Sequence, residues 1–377
     1  MKVMIAVTHL LGTGHLSRAL TLGRAFAAAG HQVVIASGGM PAPQLDPSGV
    51  TLCQLPPLRS DGVNFTTLLN STGDPADADY LATRQAALCS ALNEFAPDIL
   101  ITELFPFGRR VLSDEFLALL KSARGLPRRP LVLASIRDIL APPSKPERAE
   151  RAEQIVLAHY DAVLVHSDPQ ATPLQRSWPV STCLAPLLRY TGFVAPPAAV
   201  SHPDRVGDGE ILVSAGGGGV GHALFETAVA AAQLLPEMRW RLLVGGQDAE
   251  ETIRSLGSCD NVTIEPARPD FRQMLHHAAA SVSMCGYNTA LDLLQAGTPA
   301  VFVPFDAGGE VEQSLRAQAL AALPGIRVQP ASDLTPEALV AAVQTVMADP
   351  RRSTEALKFD GAAQSVAIAC AMAKARA

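Results

Sequence analysis

Histidine, acidic and arginine side chains stand directly after several apolar stretches in the first half of the chain. His15 follows the stretch Val3–Thr8 across a short loop that also contains Gly14. Histidine titrates near neutral pH and has the chemistry of a general base, and the alternative is a histidine that caps a turn. Four more charged residues follow later apolar stretches and are candidates for substrate contacts on the acceptor side: Glu103, Arg109, Arg137 and Asp138. Because the last two are adjacent, an internal ion pair is their other interpretation.

A run of glycines follows the apolar stretch Ile211–Ser214 in the second half of the chain. The run consists of Gly216, Gly217, Gly218 and Gly219. Without a Cβ in the way, successive main-chain N–H groups can converge on a diphosphate, and a helix N-terminus behind them favours negative charge. A tight strand-to-helix turn needs fewer glycines, so we favour phosphate contact.

A further candidate site follows the apolar stretch that ends at Met284. Gly286 provides a turn there, and Asn288 or Thr289 is in position to cap a helix that carries Asp292 one turn from its start. A carboxylate at that place can accept hydrogen bonds from the two neighbouring hydroxyls of a ribose. The alternative is an acidic residue that complements the helix dipole.

Short apolar stretches alternate with amphipathic segments along all 377 residues. Most of these stretches are apolar throughout, which is typical of parallel strands that are covered by helices on both faces. The pattern predicts an α/β protein with two doubly wound, Rossmann-like domains that face a central cleft. Such sheets bind ligands at the carboxyl ends of their strands, where the candidate residues stand.

A stretch with little periodicity and four prolines separates the two halves: Pro186, Pro196, Pro197 and Pro203. We place an N-terminal domain at residues 1–190, a hinge at 191–209 and a C-terminal domain at 210–355. Residues 356–377 are rich in alanine, and we expect them to form a helix that packs back on the N-terminal domain. A helix is also expected over Phe271–Ala280.

Charge and composition exclude several classes of function. A net charge of −6 provides no positive field for a phosphate backbone, so we expect no nucleic-acid partner. The six cysteines form no CxxC pair, no signal peptide is present and no stretch approaches the roughly 18 apolar residues of a membrane span, so we expect a cytoplasmic protein. A basic cluster is either a solvated loop or a peripheral contact with anionic lipid: Lys121, Arg124, Arg128 and Arg129.

The segment Gly286–Pro299, with Val303-Pro304-Phe305 and Glu312-Gln313 after it, resembles the donor half of GT-B glycosyltransferases. The similarity is greatest to the family of the bacterial enzymes that add N-acetylglucosamine in lipid II synthesis. The first half resembles a family of predicted glycosyltransferases through short motifs at residues 9–15, 103–110, 136–139, 165–169 and 190–194. The resemblance implies the GT-B fold.

The resemblance also implies roles for residues of the second half. The acidic residue at the position of Asp292 holds the ribose of the donor, and the pair Glu312-Gln313 holds the donor sugar. The glycine run holds the diphosphate. The family carries Glu where this chain has the shorter Asp292, and its motif often begins with Ser or Arg where this chain has Met284-Cys285.

By the same analogy, the region from Arg268 to Met274 forms the wall around the nucleotide base. Phe271 or Met274 would pack on the base in that case. Both residues are equally compatible with the core of an amphipathic helix, and the two interpretations stay open.

The resemblance implies an inverting glycosyltransferase that moves a sugar from a nucleotide-diphosphate sugar, with a UDP-sugar expected, to an acceptor hydroxyl. His15 would deprotonate the acceptor. No cofactor is expected, because helix dipoles and the glycine run can take up the charge of the leaving diphosphate without a metal. Neighbours on a helix point about 100° apart, so we interpret His276 and His277 as no metal site. The alternatives are a nucleotide-sugar hydrolase and a nucleotide-sugar-binding protein without catalysis.

Overall fold

The computed structural model describes residues 1–10, 12–60, 67–216, 221–246, 248–257, 259–306 and 310–376. The chain folds into two compact units. The N-terminal unit contains Met1–Pro169, Pro173–Ala195 and Lys358–Ala377, and the C-terminal unit contains Gln170–Thr172 and Pro196–Leu357. The boundary lies between Ala195 and Pro196, inside the segment 191–209 that the prolines indicate as a hinge.

A mostly parallel sheet forms the centre of the N-terminal unit. Its strands are β1 (Lys2–Val7), β2 (Gln32–Gly39), β3 (Thr51–Ser60), β4 (Leu68–Leu69), β5 (Ile99–Glu103), β6 (Leu131–Arg137), β7 (Ala162–His166) and β8 (Leu188–Tyr190). The described strands lie in the order β4-β3-β2-β1-β5-β6-β7-β8, and only the pairing of β3 with β4 is antiparallel.

Helices cover both faces of this sheet. They include α1 (Gly14–Ala28), α2 (Ala78–Phe95), α3 (Ser113–Gly125) and α4 (Pro146–His159). Side chains alternate along a strand, so Val3 and Ile5 of β1 pack in the core on the α1 side, whereas Met4 and Ala6 pack in the core with α2 and α3. Two-sided burial explains why the strands are apolar throughout.

The C-terminal unit is built around a second parallel sheet. Its strands are β9 (Glu210–Ser214), β10 (Arg239–Val244), β11 (Val262–Pro266), β12 (Ala280–Ser283), β13 (Ala300–Phe302) and β14 (Ile326–Val328). Among the described strands the order is β11-β10-β9-β12-β13-β14, and each pair is parallel. The helices include α5 (His222–Leu234), α6 (Ala249–Ser255), α7 (Phe271–Met274), α8 (Tyr287–Ala296), α9 (Glu312–Leu320) and α10 (Pro336–Ala348). The prediction of two doubly wound, Rossmann-like units is confirmed.

Two local predictions in the C-terminal unit are wrong. The helix expected over Phe271–Ala280 is only the short α7, because the backbone after it bonds to the start of β9: Gly209 N–H donates to the His277 carbonyl, and Ala279 N–H to that of Glu210. Helix α8 has Gly286 at its N-cap position and lacks a side-chain capping bond, so neither Asn288 nor Thr289 caps it.

Each sheet reverses its strand order at one point, and ligands of open α/β sheets bind at the carboxyl ends of the strands on either side of such a point. In the N-terminal unit the reversal lies between β1 and β5. In the C-terminal unit it lies between β9 and β12. The loops after these four strands are therefore where the site residues are to be sought.

The C-terminal helix α11 (Gly361–Arg376) belongs to the N-terminal unit. Val366 and Ala369 pack in the same core as Leu16 and Ala19 of α1. Arg376 donates to the Asp161 carboxylate at 2.7 Å. No helix of the described chain is long and apolar enough to cross a membrane.

The start of α11 depends on close backbone contact. A Cβ on Gly361 would lie 2.4 Å from the Gly192 carbonyl oxygen and 2.7 Å from the Phe193 carbonyl group. Gly361→Ala must therefore push α11 away from the unit, and we expect it to lower the free energy of unfolding by about 1–3 kcal/mol. Urea unfolding followed by Trp178 fluorescence in a Trp240→Phe background reports on this unit.

Gly125→Ala, at the end of α3, is the matched control. In the described part of the structure, the position that its Cβ would occupy is open space. We expect this variant to be as stable as the parent or slightly more stable. Equal stability of the two alanine variants would contradict the packing described for α11.

Candidate functional site

The carboxyl ends of β1 and β5 bring His15 and Glu103 together. Strands β1 and β5 are neighbours, with Ala6 paired to Thr102. Glu103 is the last residue of β5, and His15 is the second residue of α1, which begins shortly after β1. The Nδ1 atom of His15 lies 3.1 Å from Oε1 of Glu103. Two residues singled out separately in the sequence thus form one pair.

The Glu103 carboxylate has donors on both oxygens. Arg18, one turn after His15 on α1, donates from Nε to Oε1 at 3.1 Å, and its Nη2 contacts the same oxygen. Ser135 of β6 donates from Oγ to Oε2 at 2.5 Å. Glu103 is only 1% exposed. A buried carboxylate needs such partners, because an unpaired charge away from water is very costly.

These contacts decide the charge states of the pair. Burial by itself would raise the pKa of Glu103, but the charge of Arg18 and the hydrogen bonds from His15 and Arg18 outweigh it and hold the pKa well below its usual range. Burial lowers the pKa of His15 to about 3; the Glu103 hydrogen bond opposes this, and the positive charges of Arg109 and Arg18 add to it. At neutral pH the pair is a neutral imidazole beside an ionised carboxylate, so the 6.5 of a free histidine does not apply here.

The proton on His15 has two possible places. Arg18 Nη2 also lies 3.1 Å from Nδ1 of His15. Nδ1 therefore either donates to Glu103 or accepts from Arg18, and only the first arrangement leaves Nε2 free to accept a proton.

The other acceptor-side candidates lie around the same carboxyl edge. Arg109 adopts a left-handed backbone conformation with φ 59° and donates from Nε to the Thr8 carbonyl at 2.6 Å. Burial lowers the pKa of Arg109 to about 10. Arg137 ends β6 and donates to the Ile139 carbonyl, and the adjacent Asp138 is buried. Gly14 is the first residue of α1, and in the described part of the structure the position that a Cβ would occupy there is open space.

In the C-terminal unit, glycines follow both strands at the reversal point. Gly216 follows β9 with φ +80°, a conformation that favours glycine. Gly217, Gly218 and Gly219 lie outside the described residues. Gly286 follows β12 with φ −62°, and neighbouring described atoms leave room for a Cβ. Neither the backbone conformation nor the packing requires glycine at position 286. Close approach of a ligand to the backbone would explain why a glycine stands there.

Asp292 lies on α8 in an ion pair. Its Oδ1 accepts a hydrogen bond from Arg272 Nε at 2.7 Å, and Arg272 Nη2 also donates to the Gln295 side chain and to the Pro197 carbonyl. Burial raises the pKa of Asp292, and Arg272 acts in the opposite direction. The ion pair fixes the carboxylate and ties α8 to α7. Asn288 is exposed on the same helix, and Thr289 is half-buried.

The region expected to surround the nucleotide base divides into core and surface. Met274 is fully buried, so the structure supports its interpretation as a core residue. Phe271 begins α7 and remains half-exposed. Arg268 forms a bidentate pair with Asp270 at 2.8 and 2.6 Å, and this pair raises the pKa of Arg268 above its usual range.

The predicted sugar-binding pair begins α9. Glu312 and Gln313 are the first two residues of this helix, and Glu310 Oε1 accepts from their main-chain N–H groups at 2.6 and 3.2 Å. The Gln313 side-chain oxygen accepts from Phe305 N–H at 3.2 Å. Both residues thus lie at the start of α9, with hydrogen bonds to Glu310 and Phe305.

Several residues of these sites escaped sequence reasoning. Arg18 and Ser135 hold Glu103, and Arg272 holds Asp292. Arg316 is buried, donates to the Cys285 carbonyl at 3.0 Å and lies over the Tyr287 ring. Only Arg18 carried a usable signal, since residues three apart on a helix share a face. Within the described ranges, no three His, Cys, Asp or Glu side chains cluster as a metal site would require.

Two protein families match the chain, one in each half. Residues 13–182 match the glycosyl transferase 4-like domain, and residues 212–368 match the glycosyltransferase family 28 C-terminal domain. The second match confirms the resemblance of the second half to the donor half of these enzymes.

Several curated relatives share the enzyme name UDP-N-acetylglucosamine--N-acetylmuramyl-(pentapeptide) pyrophosphoryl-undecaprenol N-acetylglucosamine transferase. The protein from Brucella anthropi is 34% identical over 143 residues, which are 36% of this chain and 38% of the relative. The protein from Rhizobium leguminosarum is 30% identical over 162 residues, 41% of this chain and 42% of the relative. The chain thus spans about two fifths of the length of these curated relatives.

Solved structures are similar over nearly the whole chain. The glycosyltransferase of kitacinnamycin is 17% identical with a TM-score of 0.65, covering 97% of both chains. The MurG protein of Acinetobacter baumannii is 18% identical with a TM-score of 0.64, covering 99% of this chain and 98% of that one. At such identities the similarity shows the fold alone, which is the GT-B fold. The chain is thus similar to glycosyltransferases in both halves, with a match to a glycosyl transferase 4-like domain followed by a match to a glycosyltransferase family 28 C-terminal domain.

Proposed function

We propose that this chain is an inverting glycosyltransferase that moves a sugar from a UDP-sugar to a hydroxyl group of an acceptor. The observation that carries the proposal is the pair of His15 and the buried Glu103, 3.1 Å apart at the strand-order reversal of the N-terminal unit. The family 28 match over residues 212–368 supports a nucleotide-sugar donor. The curated relatives are named for transfer from UDP-N-acetylglucosamine, which supports UDP.

In the proposed reaction His15 is the general base. Its Nδ1 carries the ring proton and donates a hydrogen bond to Glu103. The unprotonated Nε2 can therefore take the proton of the acceptor hydroxyl. As that proton leaves, the acceptor oxygen bonds to the anomeric carbon and the bond from this carbon to the diphosphate oxygen breaks. The nucleoside diphosphate leaves with the electron pair. One displacement from the opposite face inverts the anomeric configuration.

The surroundings of Glu103 favour this tautomer. Arg18 already directs Nε and Nη2 at Oε1, so its donors are engaged by a full negative charge. A neutral imidazole nitrogen is a weaker acceptor than a carboxylate. The proton between His15 and Glu103 is therefore better placed on Nδ1, where it adds a third donor to Oε1.

On the donor side we propose that the diphosphate binds at the glycine run Gly216–Gly219 and at Gly286, which precede α5 and α8 in the sequence. Main-chain N–H groups and helix dipoles there can take up the charge of the leaving group, so we propose a reaction without a metal ion. Asp292 would bind the ribose, and Glu312 and Gln313 the sugar.

The remaining donor-side candidates are assigned to the base and the phosphates. Phe271 and Arg268 would lie beside the base, and Asn288 and Thr289 beside the phosphates. On the acceptor side, Gly14, Arg109, Arg137 and Asp138 would contact the acceptor.

A panel of UDP-, GDP- and dTDP-sugars tests the proposal directly. A ligand at 100 times its Kd stabilises the folded protein by about 2.7 kcal/mol, so thermal shifts rank the donors. Transfer is then measured with EDTA present, and the anomeric configuration of the product is read by NMR. Retention of configuration, or activity that EDTA abolishes, would contradict the corresponding part of the proposal.

The low pKa of His15 makes stability depend on pH in a way that needs no substrate. Below about 6.5 the unfolded histidine binds a proton, whereas the folded one binds it only near pH 3. His15 therefore lowers the free energy of unfolding by about 1.4 kcal/mol for each pH unit as the pH falls from about 6.5 toward 3. Glu103 acts in the same direction, but only below its unfolded pKa near 4.5.

We expect His15→Gln to flatten this dependence between pH 6.5 and 5 by up to about 1.4 kcal/mol per pH unit. Urea unfolding at several pH values, read by Trp178 fluorescence in the Trp240→Phe background, measures it. An unchanged slope would mean that His15 is protonated in the folded protein.

Asp292→Ala should weaken binding of both UDP and the UDP-sugar, because the ribose is common to them. A lost hydrogen bond to a charged acceptor is worth about 1.5–3 kcal/mol, or roughly 10- to 150-fold in Kd by calorimetry. Gln295→Ala is the control, since it removes the other α8 partner of Arg272 without removing a charge. If both variants bind UDP like the parent, Asp292 is only a structural brace.

His15→Ala should leave the Kd of the donor nearly unchanged and lower kcat by roughly 10²–10⁴-fold, as expected for loss of a general base. The release of nucleoside diphosphate measures kcat. His277→Ala, an exposed histidine of the C-terminal unit, serves as the control. Parent-like turnover of His15→Ala would assign the base to another residue, with Asp138 or Glu103 the next candidates.

A further inference from the structure

A chain of hydrogen bonds continues behind Glu103, on the side away from His15. Ser135 Oγ lies 2.5 Å from Glu103 Oε2 and 2.9 Å from His166 Nε2. His166 Nδ1 lies 2.9 Å from Thr191 Oγ1. Ser135 and His166 are 0% exposed and Thr191 is 1% exposed, so the chain is shielded from water.

The sheet supplies these residues one after another. Ser135 of β6 is paired in register with Glu103 of β5, and His166 is the last residue of the next strand, β7. Thr191 follows β8, and its N–H donates to the Val165 carbonyl at 3.0 Å. Glu103, Ser135, His166 and Thr191 thus form a continuous polar row across neighbouring strands of the sheet. None of the steps proposed for the reaction uses this row.

Counting protons fixes the direction of the chain. The ionised Glu103 can only accept, so the single hydroxyl proton of Ser135 belongs to Oε2. Ser135 must then accept from His166, which places the proton of this neutral imidazole on Nε2. His166 Nδ1 consequently accepts from Thr191 Oγ1, although the Gly192 carbonyl, 2.8 Å from that hydroxyl, competes for its proton.

Burial keeps His166 neutral. Burial lowers the pKa of His166 to about 3, the positive charge of Arg18 adds to this, and the charge of Glu103 opposes it. His15 is faced by Glu103, Arg18 and Arg109. The row behind Glu103 therefore adds one donor, the Ser135 hydroxyl, to the carboxylate without adding a charge.

We propose that Ser135 and His166 are positioning residues that fix the Glu103 carboxylate, so that Oε1 holds the Nδ1 proton of His15 and leaves Nε2 as the proton acceptor. This inference rests on the proposed function. His15 Nδ1 lies 3.1 Å from both Glu103 Oε1 and Arg18 Nη2. The fixed carboxylate explains why Nδ1 donates to Glu103 and does not accept from Arg18. With Oε2 bound by Ser135, the carboxylate cannot rotate away from His15. Without that bond, Arg18 becomes the competing partner of Nδ1.

The primary test is ¹⁵N NMR of the histidine-labelled full chain at pH 7.5 without ligand, because ¹⁵N shifts distinguish protonated from unprotonated ring nitrogens. His15→Gln and His166→Gln assign the two sets of signals. We expect the proton of His15 on Nδ1 and that of His166 on Nε2. A His166 proton on Nδ1 would overturn the positioning role alone, whereas a His15 proton on Nε2 would overturn the base assignment of the proposed function.

Variants then separate positioning from packing. We expect Ser135→Ala and His166→Leu to shift His15 toward the Nε2-protonated form, whereas His166→Gln, which retains a donor toward Ser135, preserves the parent tautomer. Ser365→Ala is the matched control, because Ser365 is a buried serine of the same unit that donates to the Gly361 carbonyl. An unshifted His15 in folded Ser135→Ala overturns the proposal. If the variants do not fold, the wild-type tautomer of His166 still decides it.

Kinetics with the best donor of the panel give a second readout. Loss of a hydrogen bond to a charged group should lower kcat by about 10- to 100-fold in Ser135→Ala. The KM of the donor should stay the same, and His166→Gln should retain most of the turnover. A parallel change in KM with the His15 tautomer intact would indicate a structural role only.

Discussion

The buried negative charge of Glu103 is the constraint on which the carboxyl edge of the N-terminal unit depends. A carboxylate at 1% exposure is tolerated only with strong donors on both oxygens. Arg18 and His15 come from α1 and Ser135 from β6, and they meet because β1, β5 and β6 are neighbours in the sheet. Removing Arg18 would therefore leave a buried charge uncompensated.

The same interaction links stability to chemistry. The charge that Arg18 compensates also orients His15, whose neutral ring keeps one protonation state across the physiological pH range. The candidate site of the C-terminal unit contains no carboxylate as deeply buried as Glu103 among the described residues. Its candidate ligand groups are glycine backbone and the Asp292–Arg272 pair, which is less deeply buried, with 14% and 28% of the two side chains exposed. Under the proposed function, such partial exposure suits a group that binds and releases a nucleotide.

Much of the fold could be predicted from the sequence, because apolar stretches and the positions of their carboxyl ends are local features. His15 and Glu103 were recognisable for that reason, but their pairing was not, because a single sequence does not report which strands are neighbours. The early end of α7 and the missing side-chain cap of α8 depend on backbone bonds to β9 and on the placement of Gly286, which local propensity does not encode. Arg272 escaped prediction because its partner Asp292 comes from a different helix.

Under the proposed function, His15 and Glu103 act as one catalytic unit. A double-mutant cycle of His15→Ala and Glu103→Gln, read as kcat for release of nucleoside diphosphate, tests it most directly. If the two residues act together, Glu103→Gln alone lowers kcat by at least about 100-fold, and the double variant is no slower than His15→Ala. Effects that multiply in the double variant would contradict the claim and show that the two residues act independently.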